Sequence, residues 1–283
     1  MAWALEGLGI LWLGHTQRQS RVSYSGTRLL LLALGSALMA SYNGITSLSF
    51  SLIFAVLALT WLGAAWLWRS VNLMVSRTLL GGGTLFWLAA LCGAVSASPL
   101  YDTDLLFVLL ALITLSALVW HQASRRLAWT DVGYLPWLLW IAMLLALLYQ
   151  QLIDNALLAA GWMNLVWLPV LGAAYRLLKR EQGRVRPAYL EKGLHLSLFW
   201  MLLSTWAEVW RVTDTLPWGM DEWRMSALMV FIAAIILLTL WALRRGLWPF
   251  AAFPRLYPSL GLLPLVPCAL IVLLLGNLHD GVM

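Results

Sequence analysis

Ten continuously apolar stretches follow one another along this 283-residue chain, and nothing else in it constrains the fold as strongly. They run near Ala2 to Gly14, Leu29 to Ala40, Leu48 to Trp68, Leu79 to Ala97 and Leu105 to Trp120, then near Tyr134 to Tyr149, Leu157 to Leu178, Leu194 to Trp210, Met225 to Leu243 and Ser259 to Gly276. A helix needs roughly 20 residues to cross a hydrocarbon core of about 30 Å. In lipid only helices and closed barrels satisfy their own backbone polar groups, and these runs lack the alternation that barrel strands require. The expected fold is all-α: a polytopic transmembrane helical bundle of about 9–10 transmembrane helices. With no repeat and no low-complexity linker, residues 1–283 read as a single transmembrane domain.

Composition removes the competing classes. Hydrophobic residues make up 62% of the chain and charged residues 11%, against about 45–50% and about 25% in soluble domains. The 19 Trp read mainly as headgroup-level anchors or packing residues. A net charge of +6 does not argue for nucleic acid, because the basic residues stay in short loops between apolar runs and so report orientation. Cys92 and Cys268 both fall inside apolar runs, so neither a disulfide framework nor a metal site is implied. The start carries no basic region and no small-residue cleavage site of a signal peptide.

Counting Lys and Arg in alternate loops gives the orientation. Sixteen of the eighteen fall in one set: Arg18, Arg21 and Arg28; Arg69 and Arg77; Arg125 and Arg126; Arg176 through Lys192; and Arg244, Arg245 and Arg255. The other set holds only Arg211 and Arg224, and carries acids instead. By the positive-inside rule the first set is cytoplasmic. Residues 41–47 and 211–224 are then expected outside, residues 179–192 inside and the C-terminus outside, in a bacterial inner membrane.

The first run spans only about 20 Å at 1.5 Å per residue, yet it carries Glu6. If Gly14 marks the cytoplasmic edge, Glu6 lies about 12 Å deeper. A carboxylate at that depth is costly, and is expected to face protein or a polar cavity.

Trp3-Ala4-Leu5-Glu6-Gly7, followed by Trp12-Leu13-Gly14 and the basic turn through Arg18 and Arg21, resembles a recurrent segment of a bacterial membrane protein family, domain of unknown function 2339. Trp248-Pro249, Phe253-Pro254, Tyr257, Pro264, Asn277 and Asp280-Gly281 resemble the last membrane hairpin of that family. Members of the family are longer at both ends. The resemblance therefore implies that the chain is the C-terminal part of such a protein, truncated at both ends. It also implies that missing segments of the same protein, or other membrane proteins, are its partners beside the lipid bilayer. It implies no activity.

Few constellations carry chemistry. The loops between runs are too short for an extramembrane domain, and Gly81-Gly82-Gly83-Thr84 lacks the Lys of a P-loop and reads as a helix-packing element. His15, His121, His195 and His279 have no ligand spacing, so neither a metal nor any other cofactor is called for. Glu208 and Arg211, at i and i+3, share a helix face and can pair at the outer end of a run. With Glu6 they are the candidate intramembrane polar residues. Asp102 and Asp104, in an outer loop, are the candidates for a base or a cation ligand of a membrane glycosyl or acyl transferase. The leading functional reading is transport or lipid and envelope handling without catalysis. A structural or partner-binding module is the alternative, and the transferase comes third.

Overall fold

The structure, a computed structural model, describes residues 2–99, 102–154, 165–185, 187–204 and 221–280. Among these residues there is no strand. The helices are α1 (Ala2–Thr16), α2 (Ser20–Tyr42), α3 (Ser47–Trp68), α4 (Leu73–Ser96), α5 (Asp102–Arg126), α6 (Leu138–Leu148), α7 (Trp167–Glu181), α8 (Ala188–Leu203), α9 (Asp221–Arg244) and α10 (Leu265–Asp280). Seven segments are long and apolar enough to cross a membrane: Ser20–Tyr42, Ser47–Trp68, Leu73–Ser96, Asp104–Arg126, Asp131–Gln151, Ser226–Arg244 and Tyr257–Leu275. Each contains or overlaps one of the ten apolar runs. Of the other three runs, the first is the short helix α1, and the remaining two, which α7 and α8 partly cover, extend beyond the described residues. The fold is thus an all-α polytopic membrane bundle, and it divides into two compact units, Met1–Pro136 and Trp137–Met283.

In the first unit, helices meet through small residues. A turn in which Arg18 adopts a positive φ of 54° reverses the chain from α1 into α2. Ala4, Gly7, Leu11 and Gly14 form the packed face of α1, and Gly26, Leu30, Ala33 and Ala37 that of α2. A Cβ built on Gly26 would lie 2.6 Å from both Gly7 O and Leu11 N, and one on Gly14 would lie 2.5 Å from Ser23 N. The two backbones are therefore in direct contact, which only glycine permits.

The next hairpin is set by caps and by buried hydroxyls. Thr46 accepts from Ser49 N at the start of α3, and Asn72 accepts from Met74 N and Val75 N at the start of α4, satisfying amides that a helix start leaves free. Between α3 and α4, Ser51 Oγ donates to Ala90 O (2.8 Å) and Ser76 Oγ to Ala65 O (2.7 Å). Ala4, Ala33, Ala37, Phe54, Leu57 and Ala90 close the core across α1 to α4. At the other end, Arg69 Nη1 donates to Leu127 O and Arg77 pairs with Asp131, bringing together two loops of the basic set.

The second unit is more irregular. A π-helix (Tyr149–Asp154) follows α6. Between α9 and α10, Pro249, Pro254, Pro258 and Pro264 each remove an amide donor, so no continuous α-helix forms. The chain there is a 3-10 turn (Phe250–Ala252) and a second π-helix (Tyr257–Gly261). Phe199, Leu203, Ile232, Tyr257 and Leu265 form a core joining α8, α9 and α10.

Candidate functional site

Glu191, His195 and Phe199 stand at i, i+4 and i+8 on α8, so they share one helix face, and all three are buried. Each meets a segment outside α8. The Glu191 carboxylate accepts from Gly183 N (3.0 Å), whose φ of +73° turns that amide toward the helix. His195 Nδ1 lies 2.8 Å from Tyr257 Oη, and Phe199 packs edge-on against Tyr257 and Phe250. The irregular segment after α9 is thereby folded over α8, with Tyr257 at the first position of a π-helix, a distortion frequent at functional sites.

The His195 residue is 1% exposed, and its Nε2 has no partner among the described residues. Trp248, Phe253 and Tyr257 surround it at centroid distances of 5.6, 4.9 and 6.3 Å. A buried phenol that only accepted would leave its own O–H unmet, so the assignment that satisfies more groups has Tyr257 donating to Nδ1. The ring hydrogen then sits on Nε2. The site consists of an N–H donor without an acceptor, walled by aromatic rings, and leaving such a group unmet costs about 1–3 kcal/mol.

Indoles complete the frame of this unit. Trp140 Nε1 donates to Leu194 O, Trp167 Nε1 to Gln150 Oε1, Trp200 Nε1 to Gly261 O and Trp248 Nε1 to Gln182 Oε1. These four are hydrogen-bond ties between segments, a role that the abundance of Trp did not reveal. The Trp248 to Gln182 bond also joins the two basic loops of the unit. Lys179, Arg180, Arg184, Lys192, Arg244, Arg245 and Arg255 on or beside those loops are all exposed.

The residues singled out from the sequence fall elsewhere. Glu6 is exposed on α1. α2 comes close along the Gly7 and Gly14 side of α1, and Glu6 falls on another side. Glu208 and Arg211 lie outside the described residues. Asp102 opens α5 and Asp104 follows it, half-buried, in the first helical turn. Among the described residues, no three His, Cys, Asp or Glu side chains form a group able to hold a metal ion.

The Glu191, His195 and Phe199 row was legible as a helical spacing. Its partners Gly183 and Tyr257 were not, since they lie 8 and 62 residues from the groups they bind.

Fold and site together define a multi-pass α-helical membrane protein with a buried histidine–tyrosine pair in its second unit. No protein-family model, curated protein or solved structure matches the chain.

Proposed function

We propose that this is a multi-pass protein of a bacterial inner membrane, with its basic loops cytoplasmic and its C-terminus outside, that handles lipid or another anionic amphiphile without catalysing a reaction on it. The likeness of its ends to the domain of unknown function 2339 family belongs to the same proposal, as does its partnership with the bilayer and with further membrane segments. The observation that carries the reading is the Nε2–H of His195, unmet among the described residues and surrounded by the rings of Trp248, Phe253 and Tyr257. A hydrogen-bond donor in apolar surroundings fits an acidic or ester oxygen attached to an acyl body. The exposed Lys and Arg of the neighbouring loops raise the local concentration of anionic headgroups, at about 1 kcal/mol for each cation near the surface.

Photo-crosslinking tests this in nanodiscs. A diazirine-bearing phosphatidylglycerol is expected to label the segment from Trp248 to Tyr257, with competition by unlabelled phosphatidylglycerol and not by phosphatidylcholine. His195→Phe, which keeps the ring and removes the donor, is expected to lower that labelling about fivefold or more, on the scale of one hydrogen bond of about 1 kcal/mol. Equal labelling of the two proteins, or equal competition by the two lipids, rejects the reading.

A further inference from the structure

Four segments long and apolar enough to cross a membrane end or begin at one junction of the first unit: Trp68 closes one, Leu73 opens the next, Arg126 closes a third and Asp131 opens a fourth. Arg69 on Leu127, Arg77 on Asp131 and Ser76 on Ala65, one turn deeper in α3, hold these ends together. Residues just beyond the ends of crossing segments lie at headgroup level, beside the lipid phosphates.

The junction carries more positive charge than its own acid can match. Residues 69–77 and 125–131 hold Arg69, Arg77, Arg125 and Arg126 against a single acid, Asp131, so four charges less one leave +3. That acid is committed, since Asp131 lies 3.1 Å from Arg77 Nε with its side chain 14% exposed. Trp129, midway between Leu127 and Asp131, is buried, and its Nε1–H meets no acceptor among the described residues. Donors outnumber acceptors here.

Arg69 is the cation of this group whose position is fixed by neutral partners. Its Nη1 donates to Leu127 O (2.9 Å), and its guanidinium carbon lies 5.0 Å from the centre of the Trp66 ring. A carbonyl and an indole face orient a cation and leave its charge in place. The bond to Leu127 takes one of the five N–H donors of the guanidinium, and no further hydrogen bond or ion pair joins that side chain to the described residues. Arg69 is also half-buried, and a charge partly withdrawn from water is costly until an anion meets it.

The surroundings point to the kind of anion. Trp66, Val71, Leu73 and Met74, all within five residues of Arg69, are exposed apolar side chains. A fixed cation with an apolar surround suits a phosphate that carries a hydrocarbon body. We propose that Arg69 anchors a bound anionic phospholipid: its remaining guanidinium edge takes two phosphate oxygens in parallel, and the acyl chains lie along the side of α3 on which Trp66 is exposed. Arg77, Arg125 and Arg126 add attraction for the headgroup, and the planar fork of arginine gives the geometry that a lysine lacks. This site belongs to the first unit and is independent of the reading of His195.

The test uses the full chain in phosphatidylcholine nanodiscs that contain increasing fractions of a phosphatidylglycerol with a diazirine near the glycerol end of one acyl chain. Labelling is mapped by peptide, and the half-saturating lipid fraction is read for residues 62–77. Saturable labelling is expected there, with competition by unlabelled phosphatidylglycerol and not by inorganic phosphate. Arg69→Gln is expected to raise the half-saturating fraction about tenfold or more, the scale of a lost hydrogen bond to a charged group. Arg69→Lys keeps the charge and loses the fork, and is expected to raise it about threefold or more. Arg126→Gln removes an equal charge from the same junction and is expected to raise it about fivefold at most, the effect of one cation near the surface. His195→Phe is expected to leave labelling of residues 62–77 as it is, so the two lipid readings fail separately. If Arg69→Gln does not fold, Arg69→Lys decides. Labelling that does not saturate overturns the proposal, as does an Arg69→Lys chain that binds as the wild type does. So does an Arg69→Gln chain no weaker than Arg126→Gln, which would leave only diffuse surface charge, or displacement by inorganic phosphate, which would make this a site for a free anion.

Discussion

The two units solve the same problem, holding apolar helices together where lipid is as apolar as they are, by different means. In the first unit glycine and alanine remove side chains from the α1–α2 contact, so backbones touch and dispersion forces act over a long seam from Gly14 to Ala37, with hydroxyl and indole bonds added where α3 meets its neighbours and α4 meets α5. In the second unit, directional bonds cross between segments: four indole donors, the Glu191 to Gly183 contact and the His195 to Tyr257 pair. The difference teaches where each unit tolerates change. A close backbone seam fails when atoms are added, whereas a network of bonds fails when a partner is removed.

The largest effect is expected at Gly26. Gly26→Leu forces a side chain into space occupied by Gly7 O and Leu11 N, which are main-chain atoms and cannot swing aside. Destabilisation of about 3 kcal/mol or more is expected, at the upper end of overpacking costs, read as unfolding in mixed detergent micelles. A loss under about 1 kcal/mol would mean that the α1 and α2 seam is not close-packed, and the contrast between the units would collapse.

A double-mutant cycle on His195 and Tyr257 ranks next. His195→Phe and Tyr257→Phe each strand one buried polar group, and each is expected to cost about 1–3 kcal/mol. The double variant strands neither, so its cost should fall short of the sum by about 1 kcal/mol or more. Strict additivity would show that the pair is not a bond.

The smallest effect sharpens the comparison within three consecutive residues. A Cβ at Gly81 would meet nothing, whereas one at Gly82 would lie 2.6 Å from the Trp61 ring. Gly81→Ala is expected to leave stability unchanged or raise it by up to about 1 kcal/mol, through the lower entropy of the unfolded chain. Gly82→Ala is expected to lower stability by about 1–3 kcal/mol. Equal responses in thermal unfolding would show that the position of a glycine on α4 does not matter.

The sequence by itself determined the class of the protein. Length, continuity and lack of alternation in the apolar runs leave a helical membrane bundle as the only fold that satisfies its backbone in lipid, and seven of those runs appear as membrane-crossing helices. Within each unit, loops of the basic set meet one another: Arg69 and Arg77 meet Leu127 and Asp131, and Gln182 meets Trp248. The class is readable because it depends on one segment at a time.

What only the tertiary structure decided is which face of each helix is used. Glu6 shows this: its cost in lipid was legible, but its direction followed from Gly7 and Gly14 meeting Gly26 on another helix. His195 shows it again, since one histidine among four becomes distinctive only when Pro-rich residues 249–264 fold back to bring Tyr257 against it. An apolar helix carries almost no amphipathic signal, because lipid and protein interior reward the same side chains. The facing of such a helix is therefore set by shape and by hydrogen bonds between segments far apart in the chain, and those exist only once the helices are together.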